Sequence, residues 1–338
     1  MSTQSSETIR AWQFTDTRGG IENGLKLKTV PTPKPKPDDF LVRVSAVCLN
    51  PVDYKPAEIP IAGRLIVKRP ATPGLDIVGT IVKAAEGSSL KPGQRIFGIA
   101  GATPFDEGGL REICTTKANS TIPVPEGADP EGYATIGVCG LTAYQSIVPH
   151  VKAGQRVFIN GGSGGTGVYG IQIAKAVGCD VTTTCSARNV DLCKSLGADD
   201  VIDYTKGDVV QALKARKKFD HVVDNVGDKL NLYDHSHEYT NDSAKYVMVA
   251  GMVSLGSTLG MARARLFPSF LGGGKRQLMT IFAETKPDQL RQIGMWMQEG
   301  KVKPIIDSRF KFEDAPEAFR KLKTGRARGK VLVQVADI

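Results

Sequence analysis

Arg156-Val157-Phe158-Ile159-Asn160-Gly161-Gly162-Ser163-Gly164-Gly165-Thr166-Gly167 is the stretch on which the reading of this chain turns. Its first five residues, rich in β-branched and aromatic side chains, predict a buried parallel strand. From Val168 to Val177 apolar residues recur at helical spacing and the pattern stops at Gly178, so a helix is expected there. Between the two, Gly162, Gly164 and Gly167 satisfy G-x-G-x-x-G. That spacing suits a dinucleotide: one glycine permits a tight turn, one lets the backbone approach a pyrophosphate, and one lets helix and strand pack closely. Amides at the start of the helix, with its dipole, then face the phosphates. Gly161-Gly162-Ser163-Gly164-Gly165 also matches the G-x-S-x-G elbow of serine hydrolases. That chemistry needs an acid and then a histidine downstream. The later histidines are His221, His235 and His237, and the final hundred residues hold none, so the nucleotide reading is the stronger.

The 338 residues, 41% of them hydrophobic, suffice for two domains with their own cores. No apolar run reaches the ~18 residues of a membrane span. The first seven residues are polar, without the apolar core of a secretory signal, and basic residues are too few there for a transit peptide. A cytoplasmic location is therefore expected. The six cysteines are scattered without a C-x-x-C pair and read as reduced thiols. The net charge of +9 is spread along the chain without a zinc-finger or RNA-binding motif, so nucleic acid is not an expected partner.

Residues 7 to about 134 read as mostly β. Strands are expected at Ile9–Phe14, Phe40–Val44, Ile77–Val82 and Gln94–Ile99, with Pro31 to Pro37 as a surface connection. A helix over Ile136–Val148 opens a different pattern, in which strands and helices alternate. After the fingerprint come strands at Asp180–Cys185, Val201–Ile202, His221–Asp224 and Tyr246–Ala250, with helices at Asn189–Leu196 and Val209–Ala215. This alternation predicts a doubly wound, Rossmann-type parallel sheet, to which Met279–Phe282 adds a last strand. Leu255 to Gly274, glycine-rich, reads as a mobile loop at the mouth of a site. The tail carries helices near Leu290–Glu299 and Pro316–Leu322 and a closing strand Lys330–Val335. The expected division is an α/β nucleotide-binding domain over 135–285 and a mostly-β catalytic domain built from 1–134 and 286–338.

The second strand decides which nucleotide is expected. An NAD-binding fold places a carboxylate at its end, about 20 residues past the glycines, to hold the adenosine ribose. Here that strand ends Thr184-Cys185-Ser186-Ala187-Arg188-Asn189, with a hydroxyl and a guanidinium in the carboxylate's place. Both attract a phosphate dianion, so NADPH is expected over NADH.

Leu49-Asn50-Pro51-Val52-Asp53-Tyr54, Pro73-Gly74-Leu75-Asp76-Ile77-Val78-Gly79, Gly140-Leu141-Thr142-Ala143-Tyr144 and the fingerprint follow one another in this order. Together they resemble the medium-chain dehydrogenase/reductase superfamily, in its zinc-independent quinone oxidoreductase and enoyl reductase branch. Gly197-Ala198-Asp199-Asp200-Val201-Ile202-Asp203-Tyr204 and Gly325-Arg326-Ala327-Arg328-Gly329-Lys330 are most similar to reticulon-interacting mitochondrial reductases and fungal relatives. The resemblance implies a GroES-like catalytic domain beside the Rossmann domain. The zinc enzymes of the superfamily use a cysteine and a histidine where this chain has Asn50 and Leu75, neither of which completes a zinc site. No metal is expected.

For chemistry, the resemblance implies hydride delivery to a quinone or to the C=C bond of an α,β-unsaturated ketone. It places Asn50 and Tyr54 beside the nicotinamide and Thr142 on its far side. Tyr54 is the candidate to bind the substrate oxygen, with water as the alternative proton donor. It implies Gly162, Ser163, Gly164, Gly165, Thr166 and Gly167 at the pyrophosphate, Ser186 and Arg188 at the 2′-phosphate, and Tyr204 by the adenosine. Val249, Ala250, Gly251, Phe282 and Ala283 would approach the nicotinamide side, and Arg326 and Arg328 the phosphates. Read as residues alone, Phe282 suits a core position and the two arginines a solvated surface. Glu58 to Lys68 would help build the substrate pocket. Two alternatives stay open: an enoyl reductase acting in trans on carrier-bound polyketide intermediates, and a weakly catalytic NADPH-binding partner protein. Relatives also imply a homodimer paired through Met279–Phe282.

Overall fold

The computed structural model describes residues 7–101, 108–227, 230–249, 255–267, 271 and 273–336, and for 255–259 the backbone alone. Ala250 and Gly251 lie outside the described residues. Two compact units divide the chain. The first holds the residues up to Leu141, Thr285–Gln298 and the residues from Pro304 onward; the second holds Thr142–Glu284 and Glu299–Lys303. In chain order the strands begin with β1 (Thr8–Gln13), β2 (Lys26–Pro31), β3 (Asp39–Leu49), β4 (Asp76–Lys83), β5 (Arg95–Ala100) and β6 (Ile113–Pro123). Next come β7 (Arg156–Asn160), β8 (Asp180–Cys185), β9 (Asp200–Asp203), β10 (Phe219–Asp224), β11 (Thr240–Val249) and β12 (Gln277–Ile281). The last two are β13 (Ile306–Lys311) and β14 (Lys330–Gln334).

In the first unit β1 and β2 form an antiparallel ribbon, and a six-stranded sheet runs β13-β14-β3-β4-β5-β6. β3 pairs with β6 as well as β4, so the strands from β3 to β6 close on themselves. Phe40, Val42, Ile77, Ile96, Phe319 and Val331 are among the side chains filling this core. Burying each such side chain is worth roughly 1.5–3 kcal/mol. The tail belongs to this unit because Ala315, Ala318 and Phe319 share one face of the helix Ala315–Lys323 and are buried. β14 then pairs antiparallel with β3, Val331 opposite Leu49.

In the second unit the order is β12-β11-β10-β7-β8-β9, and every pairing is parallel. β7 sits in the middle. The chain winds outward on one side through β8 and β9 and on the other through β10, β11 and β12, so the strand order reverses at the carboxyl end of β7. In open α/β sheets that reversal point is where ligands bind.

Three expectations need correction. The fingerprint helix runs Gly165–Ala176, starting three residues before Val168, so Gly165, Thr166 and Gly167 are its first turn. Leu255–Leu266 is a helix, not a loop. Met261 to Leu266 are strong helix formers, Ala264 is buried in the core, and a Cβ on Gly260 would collide with Leu230. That glycine lies inside the helix, against the tip of the Leu230 side chain. Phe282 is 77% exposed just past β12 and is no part of the core. Three strands escape the sequence patterns for one reason: β2 is nearly all exposed, while β6 and β13 carry runs such as Thr115 to Thr121 and Asp307 to Arg309 that lack apolar alternation.

His221 on β10 gives the second unit a pH dependence. Its side chain is 1% exposed, its Nε2 lies 2.6 Å from the Ser146 carbonyl, and its Nδ1 has no hydrogen-bond partner. Burial, helped by nearby His150 and Lys245, pushes the imidazole down to about 4 from 6.5. Between those values the unfolded chain binds the proton and the folded chain does not. The contribution is therefore complete above pH 6.5 and lost as pH falls toward 4. His221→Phe removes it, so the stability gap between wild type and variant should narrow by about 2 kcal/mol from pH 7 to pH 5. Urea unfolding at the two pH values measures this, and a pH-independent gap contradicts it.

Candidate active site

The glycine turn is built by two forbidden contacts and one permitted space. A Cβ on Gly162 would collide with Thr183 Oγ1, and one on Gly167 with the Gly161 carbonyl. At Gly164 the nearest atom would be the Gly161 carbonyl oxygen at 3.6 Å, an ordinary contact. Packing thus demands the first and third glycines, whereas the second leaves open the space a pyrophosphate would fill. Gly161 stands at φ 83°, a conformation that favours glycine. Its amide donates to Thr184 Oγ1 at 2.9 Å, and that of Gly162 to the Thr184 carbonyl at 2.9 Å. Thr184 in turn donates to Asn160 Oδ1 at 2.6 Å, and Asn160 Nδ2 to Asp224 Oδ1 at 2.8 Å. Tyr246 donates to the other Asp224 oxygen at 2.8 Å. The ends of β7, β8, β10 and β11 are locked together beneath the turn by residues the motif does not contain.

Around this turn the second unit gathers most of the expected nucleotide residues at strand ends. Ser186 and Arg188 follow β8, Tyr204 follows β9, Val249 ends β11, and Phe282 with Ala283 follows β12. Tyr204 is 54% exposed and Arg188 is exposed. Sequence reading missed Asn189. It is buried, and its Nδ2 donates to Ser163 Oγ at 3.0 Å and to Ser186 Oγ at 3.4 Å, tying the glycine turn to the end of β8. Its Oδ1 is buried without a partner. Two hydroxyls, an exposed guanidinium and an open cradle at Gly164 suit a nicotinamide dinucleotide, and the orphaned Asn189 oxygen can take only a donor such as a ribose hydroxyl. The residue beside Arg188 is the only sequence signal that could have found Asn189. Arg326 and Arg328 are exposed and belong to the first unit; their amides bind Thr324 and Asp307. Thr142 is buried in the helix Val138–Ile147.

The first unit places Asn50 inside a buried polar cluster. Lys330, 2% exposed, directs its ammonium at the Asn50 amide oxygen. The same ammonium donates to Cys139 Sγ at 3.2 Å and the Leu49 carbonyl at 3.3 Å, and lies 3.5 Å from Asp76 Oδ2. Asn50 Nδ2 donates to Asp76 Oδ2 at 2.8 Å and to the Cys48 carbonyl at 3.2 Å. Asp53 accepts from the amides of Asn50 at 2.6 Å and Leu75 at 2.9 Å. Burial, with neighbouring Asp76, pushes the Asp53 carboxyl up to about 7; burial also raises Asp76, against the pull of Lys330. Asn50 and Leu75 hold the places the zinc pattern gives to ligands, and an ammonium already stands on Asn50. With that ammonium in place these residues do not fit a metal ion. Among the described residues, no cluster of three or more His, Cys, Asp or Glu could hold one.

Tyr54 follows this cluster directly. It is half-buried, with the Lys323 ammonium 5.5 Å from its ring centroid. Lys323 is held by Glu22 at 2.8 Å and Glu58 at 2.9 Å. Burial, with Glu58 nearby, raises the phenol, so it stays protonated at neutral pH. Beyond it Ile61 adopts φ 62° and ψ −61°, strained for a β-branched residue. Ile61 and Leu65 are more than four-fifths exposed.

Comparison with known proteins agrees with this geometry. The families described as "Alcohol dehydrogenase GroES-like domain" and "Zinc-binding dehydrogenase" match residues 36–126 and 196–333. Over its full length the chain is 46% identical to "Trans-enoyl reductase pgmF" of Aspergillus terreus, covering 99% of that protein. It is 30% identical to "NAD(P)H oxidoreductase RTN4IP1, mitochondrial" of Homo sapiens, across 88% of this chain and 82% of the relative. The structure of the quinone oxidoreductase from Coxiella burnetii matches with a TM-score of 0.85 at 28% identity, covering 97% of this chain and 99% of that one. The chain belongs to the medium-chain dehydrogenase/reductase superfamily, oxidoreductases that join a GroES-like domain to a Rossmann-type domain for a nicotinamide nucleotide.

Proposed function

We propose that the protein is an NADPH-dependent reductase of activated double bonds, acting on quinones or α,β-unsaturated ketones without a metal. The observation that carries the nucleotide choice is the end of β8, where Ser186, Arg188 and buried Asn189 stand in place of a carboxylate. The Gly162–Gly167 turn would hold the pyrophosphate, Tyr204 the adenosine, and Arg326 with Arg328 further phosphate charge. When bound, NADPH supplies the hydride. The chain's own part is to orient the acceptor and hold a hydrogen-bond donor at the oxygen on which charge develops. Tyr54 suits that part, because its half-buried phenol is a hydrogen-bond donor at neutral pH and the Lys323 ammonium stands over its ring. Thr142 would flank the nicotinamide. Asn50, whose amide groups are occupied inside its own cluster, serves as a positioning residue. The exposed apolar side chains of Ile61 and Leu65 suit an apolar acceptor.

The 46% identity to a trans-enoyl reductase supports a second reading, an enoyl reductase that acts on carrier-bound polyketide intermediates. We also place the enzyme in the cytoplasm, which its six buried cysteines, none of them in a disulfide, support. Among the described residues, no helix is long and apolar enough to cross a membrane. Pairing of two copies through edge strand β12, beside exposed Phe282, is the proposed assembly.

NADPH oxidation screened against quinones, enones and enoyl thioesters tests the reading and separates its two forms; binding without turnover on the whole panel would favour a partner protein. Ser186→Asp with Arg188→Ala should weaken NADPH about 10- to 100-fold while NADH is held or improved. Unchanged preference in that double variant rules out the 2′-phosphate assignment. Tyr54→Phe should lower kcat/KM on the order of 100-fold; an unchanged value hands the proton to water.

A further inference from the structure

We infer that Lys330 is a built-in cation: its ammonium permanently fills the donor cage at which the zinc pattern would place a metal ion, and through Asn50 it fixes the turn that presents Tyr54. The second half rests on the reductase reading above; the first does not.

The donors around the ammonium are an amide oxygen, a main-chain carbonyl, a thiol and a carboxylate, from Asn50, Leu49, Cys139 and Asp76. They come from three separate stretches of the first unit, Leu49-Asn50, Asp76 and Cys139, a mixed donor set that a divalent ion could collect once the ammonium is removed. A lysine so completely enclosed persists only when paired and fully hydrogen-bonded. Filling space would be served as well by an apolar side chain. β14 delivers it: Val331 pairs with Leu49 on β3, which sets Lys330 beside Asn50. The Asn50 amide is thereby held from both ends, its oxygen by Lys330 and Cys139 and its nitrogen by Asp76 and the Cys48 carbonyl. The Asn50 main chain then binds Asp53, the residue before Tyr54. Lys330 touches no reacting atom on this account and is a positioning residue.

Cobalt(II) tests the cage on the full-length protein. Lys330→Ala should take up one equivalent of Co²⁺ with a near-ultraviolet thiolate-to-cobalt absorption, while wild type and Lys330→Ala/Cys139→Ser show no such band. The same band in wild type overturns the inference. So does its absence in an alanine variant that binds NADPH within twofold of wild type. An alanine variant that folds only when Co²⁺ is present supports it. If that variant folds under neither condition, Lys330→Met decides, since it keeps the length and drops the charge. A kcat reduced on the order of 100-fold with NADPH affinity within twofold supports the inference, and kcat within twofold of wild type overturns it. A wild type without turnover would sink the reductase reading yet leave the cobalt experiment intact.

Discussion

Helix Gly165–Ala176 meets the turn that follows β7 at a distance that only a hydrogen atom permits at Gly167, and the turn meets Thr183 of β8 just as closely at Gly162. Because interiors are close-packed, a methyl on Gly167 would have to push the helix away from the turn, and one on Gly162 would push the turn away from β8. The first-turn amides, which have no acceptor four residues upstream within the helix, would then no longer face the space beside Gly164. The nucleotide-binding capacity of the second unit therefore depends on a steric constraint before it depends on any charge. Hydrogen bonding from Thr184, Asn160 and Asp224 maintains the turn from below.

The first unit solves a different problem. It buries a carboxylate, a lysine, an amide and a thiol together, a combination costly to remove from water unless each group satisfies another. The outcome is a stiff polar centre at the carboxyl end of β3, in the midst of an aliphatic core. The superfamily's zinc-using pattern and this chain's ammonium are two ways of putting positive charge at one place. Only an ammonium comes with its own tether, supplied by the final strand.

The errors of sequence reading share a cause. Leu255–Leu266 has the glycines of a loop, but Gly260 sits within a helix against the Leu230 side chain, a contact made 30 residues away in the chain. β6 lacks apolar alternation because polar Thr116, Ser120 and Thr121 occupy buried positions, and β13 because its length is partly solvated; hydrogen bonding to neighbouring strands makes both strands. Asn189 carries no motif; its importance comes from the hydroxyls on either side of it, 26 and 3 residues distant.

The sequence by itself determined the alternating α/β architecture, the glycine turn and the absence of a carboxylate after β8. These are local matters: periodicity, glycine spacing and residue type within a few positions. Tertiary structure alone decided that Lys330 meets Asn50 across 280 residues, that the Asn50 amide is enclosed rather than presented, and that Asn189 bridges the glycine turn and the end of β8. Those contacts follow from strand register and from how β14 and β8 are laid beside their neighbours, and no short-range pattern encodes register between segments so far apart.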